Sequence, residues 1–182
     1  MSGRVGAAGV VVGISLVGAS AVAATPPPTL FNVGKTVLFA RHVVTAGCRR
    51  DVRPDRRCSP GAYSSRLTKR VICSSTFRTS SIRNVPKSEK AQLERAYGMP
   101  VRSYGRTLEI DHIASLELGG SNNIANLFPQ PGGGRANYHA KDKLENKVHD
   151  LVCAGKMSLR SAQRAIASNW VALYRRVFGT SP

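Results

Sequence analysis

Residues 108–128 read LEIDHIASLELGGSNNIANLF, and their pattern predicts the centre of the fold. Leu108 to Ile113 largely alternates between apolar and polar side chains, as a β-strand does, and Gly119 to Asn122 is a turn sequence. Residues 126–128 can return as a second short strand before Pro129. The sequence therefore predicts a β-hairpin.

Two helices are predicted after the hairpin. In the first, apolar residues recur at helical spacing from Ala140 to Val152, and Gly155 supplies the C-cap. In the second, Ser158 is the N-cap of an apolar stripe that includes Trp170, which we expect in the core. Together with the hairpin, these helices predict an α+β fold.

The segment that precedes the hairpin is basic and rich in turns. Residues 41–106 contain 16 Lys and Arg side chains and four acidic ones, whereas residues 107–157 contain five basic and six acidic ones. The whole chain has 182 residues, 42% of them hydrophobic, and a formal net charge of +17. These values predict one folded domain with a polyanionic partner, either nucleic acid or an anionic membrane surface.

Local structure within the basic segment is less clearly encoded. We expect a short helix from Ser88 to Tyr97, closed by Gly98, whereas residues 66–73 fit either a strand or a helix.

The first 24 residues have the pattern of a secretory signal peptide. Residues 5–24 carry no charged side chain, Arg4 precedes them, and their small final residues fit cleavage after Ala23 or Ala24. An uncleaved membrane anchor is the alternative, because about 20 apolar residues can span a bilayer. The glycines in this stretch weaken that alternative. We expect a secreted or extracytoplasmic protein with no stable membrane association after cleavage.

Four cysteines, Cys48, Cys58, Cys73 and Cys153, favour two disulfides in a small exported domain. No Cys-x2-Cys pair of the kind that binds structural zinc is present in the sequence. Sequence alone permits three connectivities. We favour Cys48–Cys58 with Cys73–Cys153.

The order of the Asp111–His112 pair, the Gly119–Gly120 turn and Asn126 resembles the signature of HNH endonucleases. Residues 141–153 (KDKLENKVHDLVC) and 162–170 (AQRAIASNW) are similar to two helices of a secreted bacterial branch of that family. The resemblance covers about residues 58–175. It implies a ββα-metal (HNH) hairpin-helix core with flanking helices behind a basic, turn-rich N-terminal region.

The resemblance implies a role for three residues of the hairpin. Asp111 would be a metal ligand, His112 the general base, and Asn126 a loop residue that keeps the base in orientation. Phosphodiester hydrolysis needs a base for water and a cation for the charge that grows on phosphate, which suits these residue types. Hard oxygen ligands favour Mg²⁺, with Mn²⁺ as the alternative.

A further metal ligand is expected from the start of the first helix. Arg135 stands where the family usually has a His or Asn, so the ligand would be Asn137 or His139, with a slight preference for Asn137.

One geometric condition applies to Asp111 and His112. Neighbouring residues of a regular strand point to opposite faces, so the two side chains can share a site only if the strand twists or ends there.

We predict an exported, monomeric, metal-dependent endonuclease of DNA, although nothing in the sequence separates DNA from RNA. Its phosphate contacts are expected from Arg49, Arg50, Arg53, Arg56, Arg57, Lys141, Lys143 and Lys147. The predicted segments are a signal peptide (1–24), a linker or N-terminal segment (25–40), the basic N-terminal part of the domain (41–106), and the nuclease core with the C-terminal helix (107–182).

Two other functions fit parts of the sequence. The first is a catalytically inactive HNH-like protein that binds nucleic acid or serves a structural role. The second is a cationic membrane-surface protein, which would need a basic amphipathic helix. The clearest amphipathic helix, 158–178, carries only four basic residues.

Overall fold

The computed structural model describes residues 32–41, 44–105 and 107–182. The predicted signal peptide and residues 25–31 of the predicted linker lie outside the described residues. Within the described ranges, no helix is long and apolar enough to cross a membrane.

The described chain is a mixed α+β fold with four α-helices and two small antiparallel sheets. Three short 3-10 helices, Thr79–Ser81, Leu116–Leu118 and Ile124–Asn126, lie between these elements. In chain order the main elements are β1 (Thr36–Leu38), β2 (Ala62–Ser64), α1 (Lys69–Ile72), α2 (Lys87–Ala96), β3 (Leu108–His112), β4 (Leu127–Pro131), α3 (Tyr138–Cys153) and α4 (Leu159–Phe178).

The predicted hairpin is present as β3 and β4, which pair from His112↔Leu127 to Leu108↔Pro131. The second strand continues through Pro129, where the sequence predicts its end. Backbone bonds join Ile113 to Asn126 at one end of the ladder and Gly132 to Thr107 at the other. Residue pairs in an antiparallel ladder alternate between hydrogen-bonded and non-hydrogen-bonded pairs. Pro129 and Pro131 both fall at non-hydrogen-bonded pairs, so the backbone N–H that proline lacks removes no hydrogen bond from the ladder.

The connection between β3 and β4 is more elaborate than the predicted turn. Two of the 3-10 helices lie in it, and Gly119 between them has a left-handed φ of 75°. A Cβ on Gly120 would lie 1.8 Å from the carbonyl oxygen of Ala114. Gly119 is therefore required because the backbone is left-handed there, and Gly120 because the backbone of Ala114 lies too close for a side chain.

Both predicted C-terminal helices are confirmed, and they pack against each other. Ser158 caps α4 by accepting a hydrogen bond from the backbone N–H of Ser161 at 3.1 Å. Trp170 is 1% exposed in a core that includes Leu144 and Val148 of α3. Its indole N–H donates to the carbonyl of Val52 at 2.7 Å, so the basic segment is attached to this core.

A second core lies between the hairpin and α2, around Ile110, Phe128 and Leu93. The predicted helix is present as α2, but its N-cap is Pro86, two residues before the predicted N-cap Ser88. The undecided stretch 66–73 contains a short helix, α1.

The N-terminal part of the described chain contains a short strand that the sequence did not indicate. This strand, β1, pairs with β2 and lies within the predicted linker or N-terminal segment (25–40). Three-residue strands are too short to show a periodic pattern.

The favoured disulfides, Cys48–Cys58 and Cys73–Cys153, are both present, and they are compatible with an extracytoplasmic protein.

Candidate active site

Asp111 and His112 lie at the end of β3, in a cleft of about 230 Å³. Both residues line this cleft although they are neighbours on the strand. They are the last two residues of β3, and the backbone N–H of His112 donates to Asp111 Oδ1 at 2.7 Å. Arg83, Glu109 and Asp142 line the same cleft.

His112 is buried and held by Asn122. The His112 Nε2 atom lies 3.2 Å from Asn122 Oδ1. The Asn122 side-chain N–H donates to the carbonyl of Ile82 at 2.6 Å, and Oδ1 also accepts from the backbone N–H of Asn84 at 3.1 Å. Since Oδ1 is the acceptor, Nε2 carries the hydrogen and a neutral ring has its lone pair on Nδ1.

The electrostatic surroundings keep His112 neutral. Burial lowers the pKa of His112 to about 4, while the negative charge of Asp111 opposes this shift. The ring is consequently unprotonated at neutral pH and able to accept a proton. Sequence reasoning did not assign a role to Asn122, although it stands ten residues after His112 within the recognised turn.

Lys141 binds the Asp111 carboxylate from α3. Its ammonium group donates to Asp111 Oδ2 at 2.8 Å and to the carbonyl of His112 at 2.7 Å, and it also contacts the carboxylate of Glu145. The other oxygen, Asp111 Oδ1, accepts from the backbone N–H of His112 at 2.7 Å. The Lys141 side chain is 1% exposed. The predicted contact between Lys141 and a nucleic-acid phosphate is therefore corrected, since this ammonium lies inside the protein.

The three charged groups of this buried cluster influence one another. Burial alone would lower the pKa of Lys141, but the carboxylates of Asp111 and Glu145 raise it above its ordinary value. Burial raises the pKa of Glu145, and the negative charge of Asp111 acts in the same direction. Lys141 is thus held as a cation that joins α3 to the end of β3.

The cleft concentrates negative charge. The pKa values of Glu109 and Asp142 are raised, first by burial and then by the nearby charge of Asp111. The pKa of Glu117, which also lines the cleft, is raised mainly by burial. Carboxylate oxygens are the hard donors that Mg²⁺ and Mn²⁺ prefer, so the donor type suits such an ion. Among the described residues, however, no three carboxylates of this cleft have ligand atoms within 4.8 Å of one another, and both oxygens of Asp111 already accept hydrogen bonds.

The two predicted helix ligands are not part of this cleft. Asn137 is the N-cap of α3: its Oδ1 accepts from the backbone N–H of Ala140 at 2.9 Å, and its Nδ2 donates to the carbonyl of Gly134 at 2.6 Å. His139 is exposed, and its ring lies 4.2 Å from the ring of Tyr138. Among the described residues, those lining the Asp111 cleft include neither Asn137 nor His139.

Asn126 fixes the backbone on both sides of the hairpin loop and is fully buried. Its Oδ1 accepts from the backbone N–H groups of Ala62 at 3.0 Å and Ala114 at 2.8 Å. Its Nδ2 donates to the carbonyls of Ala114 at 3.0 Å and Ser121 at 2.7 Å. The chain that follows His112 is thereby tied to β2.

Cys73, His149 and Cys153 form a different group that could hold a metal ion. Their potential ligand atoms lie within 4.8 Å of one another. This donor set is not specific for Mg²⁺ or Mn²⁺, because thiolates favour softer ions. The two sulfurs are joined in a disulfide, so they become ligands only after reduction.

A second cleft, of about 490 Å³, adjoins the first at Arg83, Glu109 and His112. Lys90 and Tyr104 also line it, and the Lys90 ammonium lies 4.5 Å from the centroid of the Tyr104 ring. The two clefts together form a groove through His112. One arm of the groove is basic and aromatic, and the other is acidic.

The predicted phosphate-binding arginines lie elsewhere. Arg49, Arg53, Arg56 and Arg57 line a separate cleft of about 490 Å³, whose described lining residues are not shared with the groove. Arg50 is exposed, as are Lys143 and Lys147 on α3. Arg83 and Lys90, which sequence reasoning left unassigned within the basic segment, line the groove together with His112.

Comparison with protein-family models, with curated proteins and with solved structures found no match to this chain. The resemblance to HNH endonucleases consequently stays a prediction from its motif residues.

Proposed function

We propose that this protein is a metal-dependent HNH-type endonuclease that hydrolyses phosphodiester bonds, with DNA as the expected substrate. The observation that carries the proposal is the buried His112, whose Nε2 contacts Asn122 and which lines the groove beside Asp111. A neutral histidine with a defined tautomer can accept a proton, and a pKa raised from about 4 in the complex with substrate would make it an efficient base near neutral pH.

His112 would accept a proton from water through Nδ1. The water attacks phosphorus in line with the departing 3′ oxygen, which leaves a 5′-phosphate and a 3′-hydroxyl. The negative charge of a bound phosphodiester raises the pKa of His112 and so makes it a stronger base in the complex. Arg83 and Lys90, which line the groove, would hold the phosphate through charge-assisted hydrogen bonds.

Asp111 would hold the divalent cation, and Glu109 and Asp142 are further carboxylates in the lining of the same cleft. When bound, the ion offsets negative charge that develops on the phosphate oxygens. Mg²⁺ is the expected ion and Mn²⁺ the alternative, because the donors are carboxylate oxygens. Lys141 keeps Asp111 at the end of β3 through its 2.8 Å contact with Oδ2.

The overall charge supports a polyanionic substrate. The chain has a formal net charge of +17, and Lys143 and Lys147 are exposed on the helix that carries Lys141. Contacts between exposed lysines and phosphates are independent of base sequence, so they would position a substrate without selecting its sequence.

A plasmid-nicking assay of wild type and His112→Ala, each in Mg²⁺, Mn²⁺ and EDTA, tests the proposal. We expect metal-dependent nicking by wild type and a loss of about 10²–10⁴ in rate for His112→Ala. His139→Ala is the matched control, because it removes an exposed histidine from outside the cleft. Nicking by His112→Ala at the wild-type rate, in a preparation free of other nucleases, would contradict the proposal.

The inactive alternative also has one observation in its favour. Lys141 already satisfies the Asp111 carboxylate, as expected if the cluster serves only the fold. That protein would bind nucleic acid in EDTA and would not cut it at any metal concentration.

A further inference from the structure

A continuous arginine-rich surface lies on α4 and the loop before β2. It consists of the 490 Å³ cleft described above and a neighbouring cleft of about 390 Å³, which share Arg56 and Ser168. We call it the arginine surface. Its cationic side chains are Arg49, Arg53, Arg56, Arg57, Arg160 and Arg164. None of the described residues that line the groove through His112 belongs to it.

Aromatic side chains accompany these arginines. The Arg160 guanidinium lies 3.9 Å from the centroid of the Tyr63 ring and donates to its hydroxyl. Phe39 lies beside Tyr63, with 5.5 Å between the ring centroids, and both rings are half-buried. Contacts with both the ring and the hydroxyl of Tyr63 hold the Arg160 guanidinium in place at this surface.

Much of the positive charge is not neutralised within the protein. Asp55 accepts from Arg57 at 2.8 Å, and Asp51 lies 4.0 Å from Arg53. No carboxylate of the described residues lies within 4.0 Å of the guanidinium groups of Arg56, Arg160 and Arg164. These three exposed side chains repel one another unless an anion lies between them.

We propose that the arginine surface is a second nucleic-acid-binding site that holds a single-stranded segment without cutting it. The choice of ligand rests on the proposed function, whereas the surface itself does not. Phosphates would lie on Arg56, Arg160 and Arg164, and a nucleobase would pack against Phe39, because the Arg160 guanidinium already lies over the Tyr63 ring. A basic groove with half-exposed aromatic rings suits a single strand, because the base faces of a duplex are already stacked.

The test is fluorescence anisotropy with a labelled oligothymidine, using the full chain in EDTA so that no strand is cut. We expect Arg160→Gln with Arg164→Gln to weaken binding about tenfold near 0.1 M salt. The slope of log K against log salt should fall by about 1.4, since each neutralised phosphate of a single strand contributes about 0.7. Arg175→Gln with Arg176→Gln is the matched control, since it removes the same charge from exposed positions of the same helix.

The outcomes separate this inference from the proposed function. Equal binding by both double variants and by wild type overturns the second site, even if wild type nicks plasmid. Loss of binding only in the Arg160/Arg164 variant supports it, even if wild type nicks nothing. Binding to phosphatidylglycerol vesicles through the same two arginines, with no binding to the oligonucleotide, overturns it in favour of a membrane surface.

Discussion

The buried imidazole of His112 links the site to folding stability. Its pKa is about 4 in the folded protein, against 6.5 for an ordinary histidine. The unfolded chain therefore binds more protons between these two values, and the contribution of His112 to stability is complete above pH 6.5 and declines as the pH falls towards 4. Carboxylates with raised pKa values, such as Glu109, act in the opposite direction over the lower part of this range.

We expect the His112 contribution to be about 3 kcal/mol smaller at pH 4 than at pH 7.5. The glutamine of His112→Gln does not titrate in this range, whereas the carboxylates are the same in both proteins. The difference in stability between wild type and variant therefore isolates the contribution of His112. Urea unfolding of both proteins at the two pH values measures it. The same stability difference at both pH values would show that His112 is not buried in its neutral form.

Lys141 provides the second test at the scale of single residues. Lys141→Met leaves Asp111 and Glu145 without their shared cation, so we expect a loss of about 3–5 kcal/mol in the free energy of unfolding. Lys143→Met, an exposed position on the same helix, should change it by less than about 0.5 kcal/mol. Urea titrations compare the two variants, and similar stabilities for both would mean that Lys141 is exposed in solution.

At the scale of elements, Asn137 caps the start of α3, and we expect no effect of this residue on the metal requirement. Asn137→Ala removes the hydrogen bond to the N–H of Ala140, which should cost about 1 kcal/mol. The Mg²⁺ concentration needed for half-maximal nicking should stay at the wild-type value, whereas Asp111→Asn should raise it. A metal requirement raised by Asn137→Ala would restore Asn137 as the helix ligand.

The elements that could be predicted have a strong local signal. Helix α4 has an N-cap and an apolar stripe, and β3 and β4 flank a glycine turn, so their positions follow from residues close in the chain. Asn126 was recognised through the family resemblance.

The contacts that could not be predicted join distant segments. Lys141 looks like any lysine on the polar face of a helix, and only the folded chain shows that it meets Asp111, thirty residues earlier. Asn122 holds His112 through a loop whose shape depends on a 3-10 turn. Charge counting found the basic segment, but it could not show that Arg83 lies at the groove while Arg56 lies on another surface.

At the scale of the whole molecule, the two disulfides should stabilise the fold unequally. Cys48 and Cys58 are separated by 10 residues, and Cys73 and Cys153 by 80. Chain-entropy estimates are about 3 kcal/mol for the short loop and about 4–5 kcal/mol for the long one. Urea unfolding of the two double Cys→Ser variants measures the order, and a smaller loss for Cys73/Cys153 would reverse it.

The long disulfide loop also determines what happens when a protease cuts the chain. Cys73 and Cys153 lie on either side of α2, the hairpin and nearly all of α3. A single cut anywhere between them, for example at the exposed Gly133–Gly134 pair, leaves both pieces in one covalent molecule. Such a nicked protein would keep Asp111 and Lys141 together although they come from different fragments. It would migrate as one band on a denaturing gel and separate into two only after a thiol reductant is added.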